Sequence, residues 1–197
     1  MASIDYFFSV LSPFAYLAGD ELEGIARKHG ASIHYRPFDI LYLFTKTGGT
    51  APKDRHKSRQ AYRLQELSRV AKFKGMPINT TPAHWPTDPV PASCAIYRAA
   101  AEGGDIGRLA QTILRACWAD ELDIAEAEVI GNCLEQAGFP KSLGCDAGKE
   151  FERLFLQNTA NAEEKGVFGS PTYVVDDQVF WGQDRLPYLD AWLSGDL

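Results

Sequence analysis

Two short sheet-forming blocks stand at opposite ends of this chain, with more than a hundred residues of helical sequence between them. The first block is Ile4-Asp5-Tyr6-Phe7-Phe8-Ser9-Val10, a helical stretch over about 13–30, and Ser32-Ile33-His34-Tyr35-Arg36-Pro37-Phe38. A strand of near-continuous apolar character, a helix of one apolar face (Leu17, Leu22, Ile25, Ala26) and a second strand predict a βαβ unit with parallel strands. Gly30 after His29 suits the end of the helix. The last block is Thr172-Tyr173-Val174-Val175, an Asp176-Asp177 turn, and Gln178-Val179-Phe180-Trp181, followed by a helix carrying Leu189, Trp192 and Leu193. It reads as an antiparallel hairpin and a closing helix.

Between these blocks the spacing predicts helices over about 54–74, 92–102, 105–118, 125–137 and 148–165, with Asp105 and Asp123 as N-caps. Five prolines from Pro77 to Pro91, both included, exclude regular structure there and predict an ordered extended loop. The order βαβ, helical block, ββα is that of an α/β protein: a thioredoxin-like fold with an inserted all-helical domain. The expected division is 1–40 with 166–197 for the thioredoxin-like part and 41–165 for the insertion.

Composition narrows the function. The 197 residues are 45% hydrophobic and 23% charged, with net charge −6, an ordinary globular balance. Lys53, Arg55, Lys57 and Arg59 cluster, but Asp54 and Glu66 flank them, so no nucleic-acid surface is expected. No apolar run approaches the roughly 18 residues of a membrane span. No secretory leader is visible ahead of the first strand, so a cytoplasmic location is expected. Cys94, Cys117, Cys133 and Cys145 form no C-x-x-C pair, and Cys117 lies in an apolar helical stretch as a buried thiol does. His29, His34, His56 and His84 have no metal-ligand spacing, and no metal site is expected.

The chemistry gathers at three segments that this topology brings together. Ser12-Pro13 follows the first strand and opens the first helix, where unpaired N–H groups and the helix dipole favour an anion. Ser12 also suits an N-cap, with Pro13 at the first helical position, and the two roles are compatible. Phe168-Gly169-Ser170-Pro171-Thr172 places a proline at the start of a strand. Gly182-Gln183-Asp184-Arg185 opens the last helix, where Asp184 can cap and Gln183 can both donate and accept.

These stretches resemble a known family. Asp5-Tyr6-Phe7-Phe8 with Leu11-Ser12-Pro13-Phe14-Ala15-Tyr16-Leu17-Ala18, then Arg59-Gln60-Ala61-Tyr62, then Gly166-Val167-Phe168-Gly169-Ser170-Pro171-Thr172, then Phe180-Trp181-Gly182-Gln183-Asp184-Arg185, are similar to the 2-hydroxychromene-2-carboxylate isomerases and kappa-class glutathione transferases of the DsbA-like thioredoxin superfamily. The resemblance covers essentially the whole chain and implies a cis Pro171. Redox members of such folds use their own cysteine thiolate. Ser12-Pro13-Phe14-Ala15 has none, which argues against a dithiol oxidoreductase and implies a thiolate brought by a ligand, glutathione.

By the resemblance, Ser12 holds the glutathione sulfur and favours its ionised form. Phe168, Gly169, Ser170 and Pro171 hold the cysteinyl part, and Gln183 and Asp184 the γ-glutamyl end. Arg59 stands near a common family lysine, where it would reach an anionic substrate or the glycyl carboxylate. From its own place in the proline-rich loop, Trp85 suits either the wall of an apolar substrate pocket or, like Trp118, Trp181 and Trp192, a core or interface position. The family often has an asparagine near Gly48-Gly49 and an acid at Ser9. The implied activity is cis–trans isomerisation of 2-hydroxychromene-2-carboxylate to trans-o-hydroxybenzylidenepyruvate by transient thiol addition, ring opening, rotation and expulsion. A small aromatic substrate and a homodimer are the implied partners. A kappa-type transferase or peroxidase acting on other electrophiles, and a non-catalytic thioredoxin-like binding protein, are the alternatives.

Overall fold

The protein's computed structural model describes residues 2–144 and 148–197. Cys145 lies outside them. The sheet has four strands, β1 (Ser3–Phe8), β2 (Ser32–Pro37), β3 (Thr172–Val175) and β4 (Gln178–Trp181), in the order β2-β1-β3-β4. β1 pairs with β2 in parallel, Tyr6 opposite Tyr35, and with β3 antiparallel, Tyr6 opposite Tyr173. β3 and β4 form the antiparallel hairpin. This is the expected βαβ…ββα order.

The near-continuous apolar run of β1 has a plain cause: both faces of the sheet are covered. Ile4, Tyr6, Phe8, Tyr173 and Val175 face one core, while Phe7 and Val174 join Phe38, Leu43, Ala162 and Val167 in a second. Alternation along the strand sends neighbours to opposite faces. The larger core continues without interruption into helices α5 (Val90–Glu102), α6 (Ile106–Trp118) and α7 (Ala127–Gln136) through Ile96, Leu109, Ile113, Trp118 and Leu134. We propose that 41–165 is an insertion in sequence; its packing with the sheet is one core.

Several expectations need correction. The helix read over 13–30 is two: α1 (Pro13–Tyr16) and α2 (Glu21–His29). The chain reaches Gly19 at φ 65°, a conformation that glycine adopts without cost and that does not continue a helix. Gly30 then ends α2 at φ 62°, ψ 28°, as expected. A helix absent from the reading, α3 (Ile40–Thr47), is capped by Asp39, whose carboxylate accepts from the N–H groups of Leu41 and Tyr42 at 2.9 and 3.0 Å. α4 (Lys57–Lys74) has only Leu67 and Ala71 buried, whereas Tyr62 and Leu64, which share the helical spacing, are exposed. Asp105 caps α6, but Asp123 does not cap α7: its Oδ1 accepts from Thr87 and from the Ala125 N–H. α8 (Gly148–Glu164) packs against α3 and α5, and α9 (Leu186–Ser194) closes the chain against α2.

Among the described residues no helix is long and apolar enough to cross a membrane, and no group of three or more His, Cys, Asp or Glu is placed to hold a metal ion. Cys94, Cys117 and Cys133 are free and buried; burial pushes their thiols up to about 11, 12 and 11, so they are poor nucleophiles at neutral pH.

Candidate active site

The turn after β1 is tied to the loop before β3 by two serines. The Ser9 N–H donates to Ser170 Oγ at 2.9 Å, and Ser12 Oγ donates to the Ser170 carbonyl at 3.1 Å. Ser12 also accepts from the Ala15 N–H at 3.2 Å, as the N-cap of α1. A hydroxyl has one proton and two lone pairs, so these bonds fix where the Ser12 proton points. Because α1 has four residues, its dipole is small.

The Ser170–Pro171 peptide is cis. The Gly169 carbonyl accepts from Thr172 Oγ1 at 2.9 Å, and the Pro171 carbonyl from the Gly182 N–H at 2.9 Å. Among the described residues the N–H groups of Gly169 and Ser170 donate to no acceptor of the chain. An extended peptide-like ligand could satisfy them. Gly169 has no room for a side chain: a Cβ there would run into the indole of Trp181, which stands edge-on to Phe168 with ring centroids 4.8 Å apart.

Ser12, Gly169 and Ser170 open onto a cavity of about 310 Å³. Its walls are apolar on the side of Phe14, Leu41, Phe44 and Trp85. Trp85 is fixed there by its Nε1–H, which donates to the Leu11 carbonyl at 3.0 Å. Lys53, Arg55 and Arg63 also line it, and among the described residues no Asp or Glu does. Wider grooves of about 1000 and 950 Å³ flank α2 and α6, but they hold none of the expected site residues.

The structure therefore brings Ser12, Gly169, Ser170 and Trp85 to one wall. Pro171 is buried directly behind it, and Phe168 is exposed beside Trp181. Arg59 is exposed on α4 and outside the cavity wall. Gln183 and Asp184 lie in a single turn of 3-10 helix (Gln183–Arg185) beyond the wall; Asp184 is exposed, 3.4 Å from Arg185. Asp184 does not cap α9: Arg185 takes that position, with no side-chain capping bond.

The residues missed from sequence are Lys53, Arg55, Arg63 and Trp181. Arg63 carried a usable signal. It stands four and eight residues before Leu67 and Ala71, at the head of the only buried stripe of α4. The Arg63 guanidinium carbon sits 5.1 Å from the Trp85 ring and 5.7 Å from the Trp118 ring.

Comparison with known proteins agrees with this architecture. Residues 3–194 match the family described as DSBA-like thioredoxin domain. The chain is 31% identical over 202 residues to a 2-hydroxychromene-2-carboxylate isomerase of Sphingobium xenophagum, covering 97% of each protein. It is 31% identical over 80 residues to a Glutathione S-transferase kappa 1 of Caenorhabditis elegans, covering 40% of this chain and 35% of that one. A solved structure of a 2-hydroxychromene-2-carboxylate isomerase superposes with a TM-score of 0.83 at 25% identity, covering 98% of this chain and 95% of the other. The chain belongs to the DSBA-like thioredoxin domain family and is related along its whole length to the 2-hydroxychromene-2-carboxylate isomerases.

Proposed function

We propose that this protein is a glutathione-dependent isomerase that interconverts 2-hydroxychromene-2-carboxylate and trans-o-hydroxybenzylidenepyruvate. The observation that carries the reading is the Ser12 hydroxyl, oriented by Ala15 and Ser170 at the mouth of an apolar cavity whose charged groups are all cations. The similarity to proteins named as isomerases over the whole chain supports the reaction, and the kappa-class match supports the cofactor.

The residues present fit glutathione. The unpaired N–H groups of Gly169 and Ser170 suit its peptide backbone, and the Ser12 hydroxyl suits its sulfur. Gln183 and Asp184 stand just past the wall, and in this reading they meet the γ-glutamyl end. When bound, glutathione supplies the sulfur nucleophile that adds to the substrate and leaves again. The chain's own task is to hold and shield. Ser12 turns its one proton from the Ser170 carbonyl toward the sulfur and so stabilises its anionic form. The same turn frees the Ser170 carbonyl to accept an N–H from the ligand. Trp85 and Phe14 exclude water from the reacting carbons, and the cations offset the substrate's negative charge. We place this activity in the cytoplasm, where a reduced thiol persists, and in a homodimer.

Calorimetric titration with glutathione, combined with the ultraviolet absorbance of bound thiolate across pH, tests the reading. The wild type should bind and show thiolate near neutral pH. Ser12→Ala should lose the thiolate signal at that pH and slow 2-hydroxychromene-2-carboxylate turnover by about 10- to 100-fold, the worth of a hydrogen bond to a charged group. A wild type that binds no glutathione would remove the cofactor. Conjugation of 1-chloro-2,4-dinitrobenzene without chromene turnover would favour the transferase reading instead.

A further inference from the structure

Arg63 is an unusual arginine. It is half-buried, it lines the cavity, and no carboxylate, carbonyl or hydroxyl of the described chain accepts from its guanidinium. Its surroundings are the faces of Trp85 and Trp118, which hold a guanidinium plane by cation–π attraction while leaving its fork of N–H donors unused. Arg55 is placed in a related way. Its Nε donates to the Thr50 carbonyl at 2.8 Å, and its guanidinium carbon lies 5.8 Å from the Phe44 ring.

Two guanidiniums thus share a small apolar cavity that, among the described residues, has no negative side chain on its wall. Burial, with the Arg55 charge adding to it, holds Arg63 down to about 10. Such an arrangement costs the folded protein stability unless something anionic enters. The rings that fix both groups would also stack on a flat ligand.

We propose that Arg63 is the specificity-determining residue of this site, receiving the carboxylate of a planar aromatic acid in its free fork while Trp85 covers the ring. This rests on the isomerase reading, which supplies a substrate of that class, and gives the carboxylate a partner separate from the glutathione-holding segment at Gly169 and Ser170. Arg59 has no part in it. Arg59 lies on the same stripe of α4, one turn before Arg63, but is exposed and outside the wall.

The test uses 2-naphthoate and its neutral counterpart 2-naphthamide as probes, titrated calorimetrically into the full-length protein, with glutathione titrated separately. In Arg63→Met, naphthoate affinity should fall about 10- to 100-fold, as for loss of a charge-assisted hydrogen-bonded pair. Naphthamide and glutathione should each change less than threefold, and chromene turnover should lose through KM more than through kcat. Arg63→Lys, which keeps the charge but loses the planar fork, should recover part of the naphthoate affinity and provides a second variant should the methionine fail to fold. Arg59→Met should leave all three affinities unchanged.

Equal loss of naphthoate and naphthamide would overturn the proposal, since Arg63 would then only support the wall. Loss of glutathione affinity with naphthoate retained would overturn it too, assigning Arg63 to a glutathione carboxylate. A wild type that binds naphthoate through Arg63 but binds no glutathione would leave this inference standing while the cofactor reading fails. A wild type indifferent to the carboxylate, binding naphthoate no better than naphthamide, would sink it outright.

Discussion

A single missing carbon shapes one wall of the cavity. Gly169 precedes Ser170, and the Trp181 indole occupies the space where its Cβ would stand. The indole is itself exposed on one side and held on the other by the edge of Phe168. Gly169→Ala must therefore displace the ring. We expect a stability loss of about 1–3 kcal/mol by denaturant unfolding, the range for forcing carbon into a filled contact. Glutathione affinity should fall alongside it, because Trp181, Gly169 and Ser170 line the same cavity and a moved ring changes its wall. Unchanged stability and binding would show that the Trp181 ring moves aside freely. At this scale Ser12 and Ser170 were legible, because strand, Ser-Pro and helix in succession admit few geometries. Trp181 and Arg63 were not singled out, because what a side chain meets depends on partners in other elements: Trp85 and Trp118 for Arg63, Phe168 and Gly169 for Trp181.

At the scale of elements, α3 decides the shape of the cavity. Its Leu41 and Phe44 face the site, and its Leu43 enters the second core. Ile40-Leu41-Tyr42-Leu43-Phe44-Thr45 is rich in bulky and branched side chains and has little intrinsic helix preference. The Asp39 cap and the left-handed Gly48 at its end make it a helix. Removing the cap in Asp39→Ala should cost about 1 kcal/mol in global unfolding. The loss should appear first as faster amide exchange over Leu41 and Tyr42, whose N–H groups the carboxylate holds. Exchange there at the wild-type rate would mean that tertiary packing alone maintains the helix. The two cap residues were present in the sequence as signals, but the strand-like composition between them masked the segment. The helices with strong apolar faces, α5 to α8, were legible to within a few residues, because there periodicity and burial agree. The reading of 13–30 as one helix failed for the opposite reason: apolar spacing continues through a break that only the φ of Gly19 reveals.

Across the whole molecule, sheet and helical block meet at a half-buried acid. Glu23 on α2 accepts from the Tyr35 hydroxyl of β2 at 2.7 Å, and Gly107 of α6 packs so closely that a Cβ there would strike both groups. The second carboxylate oxygen, Oε2, is buried without a partner. No cation pairs with Glu23 among the described residues, and Asp20 and Asp105 lie near. Burial raises the Glu23 carboxyl above its ordinary 4.5; the Tyr35 hydrogen bond opposes the shift, and the two acids add to it. The sign follows from proton linkage. An acid that binds its proton more tightly folded than unfolded favours the folded state at low pH, and that advantage fades as pH rises from 4.5 through the raised folded value. Ionising Glu23 therefore places a charge in a site where burial disfavours it and where no cation of the described residues pairs with it. Gln in place of Glu23 keeps the acceptor for Tyr35 and removes the charge. Glu23→Gln should be more stable than wild type at pH 7, by about 1 kcal/mol as for relief of a modest charge burial. The gap should narrow toward pH 4.5, where the wild-type carboxyl takes up its proton. Urea unfolding of both proteins at several pH values between 4.5 and 7 measures the gap directly. A constant difference would mean that the acid is not titrating, and a less stable glutamine would mean that a bound water or cation meets Oε2 and that the charge is held for a purpose.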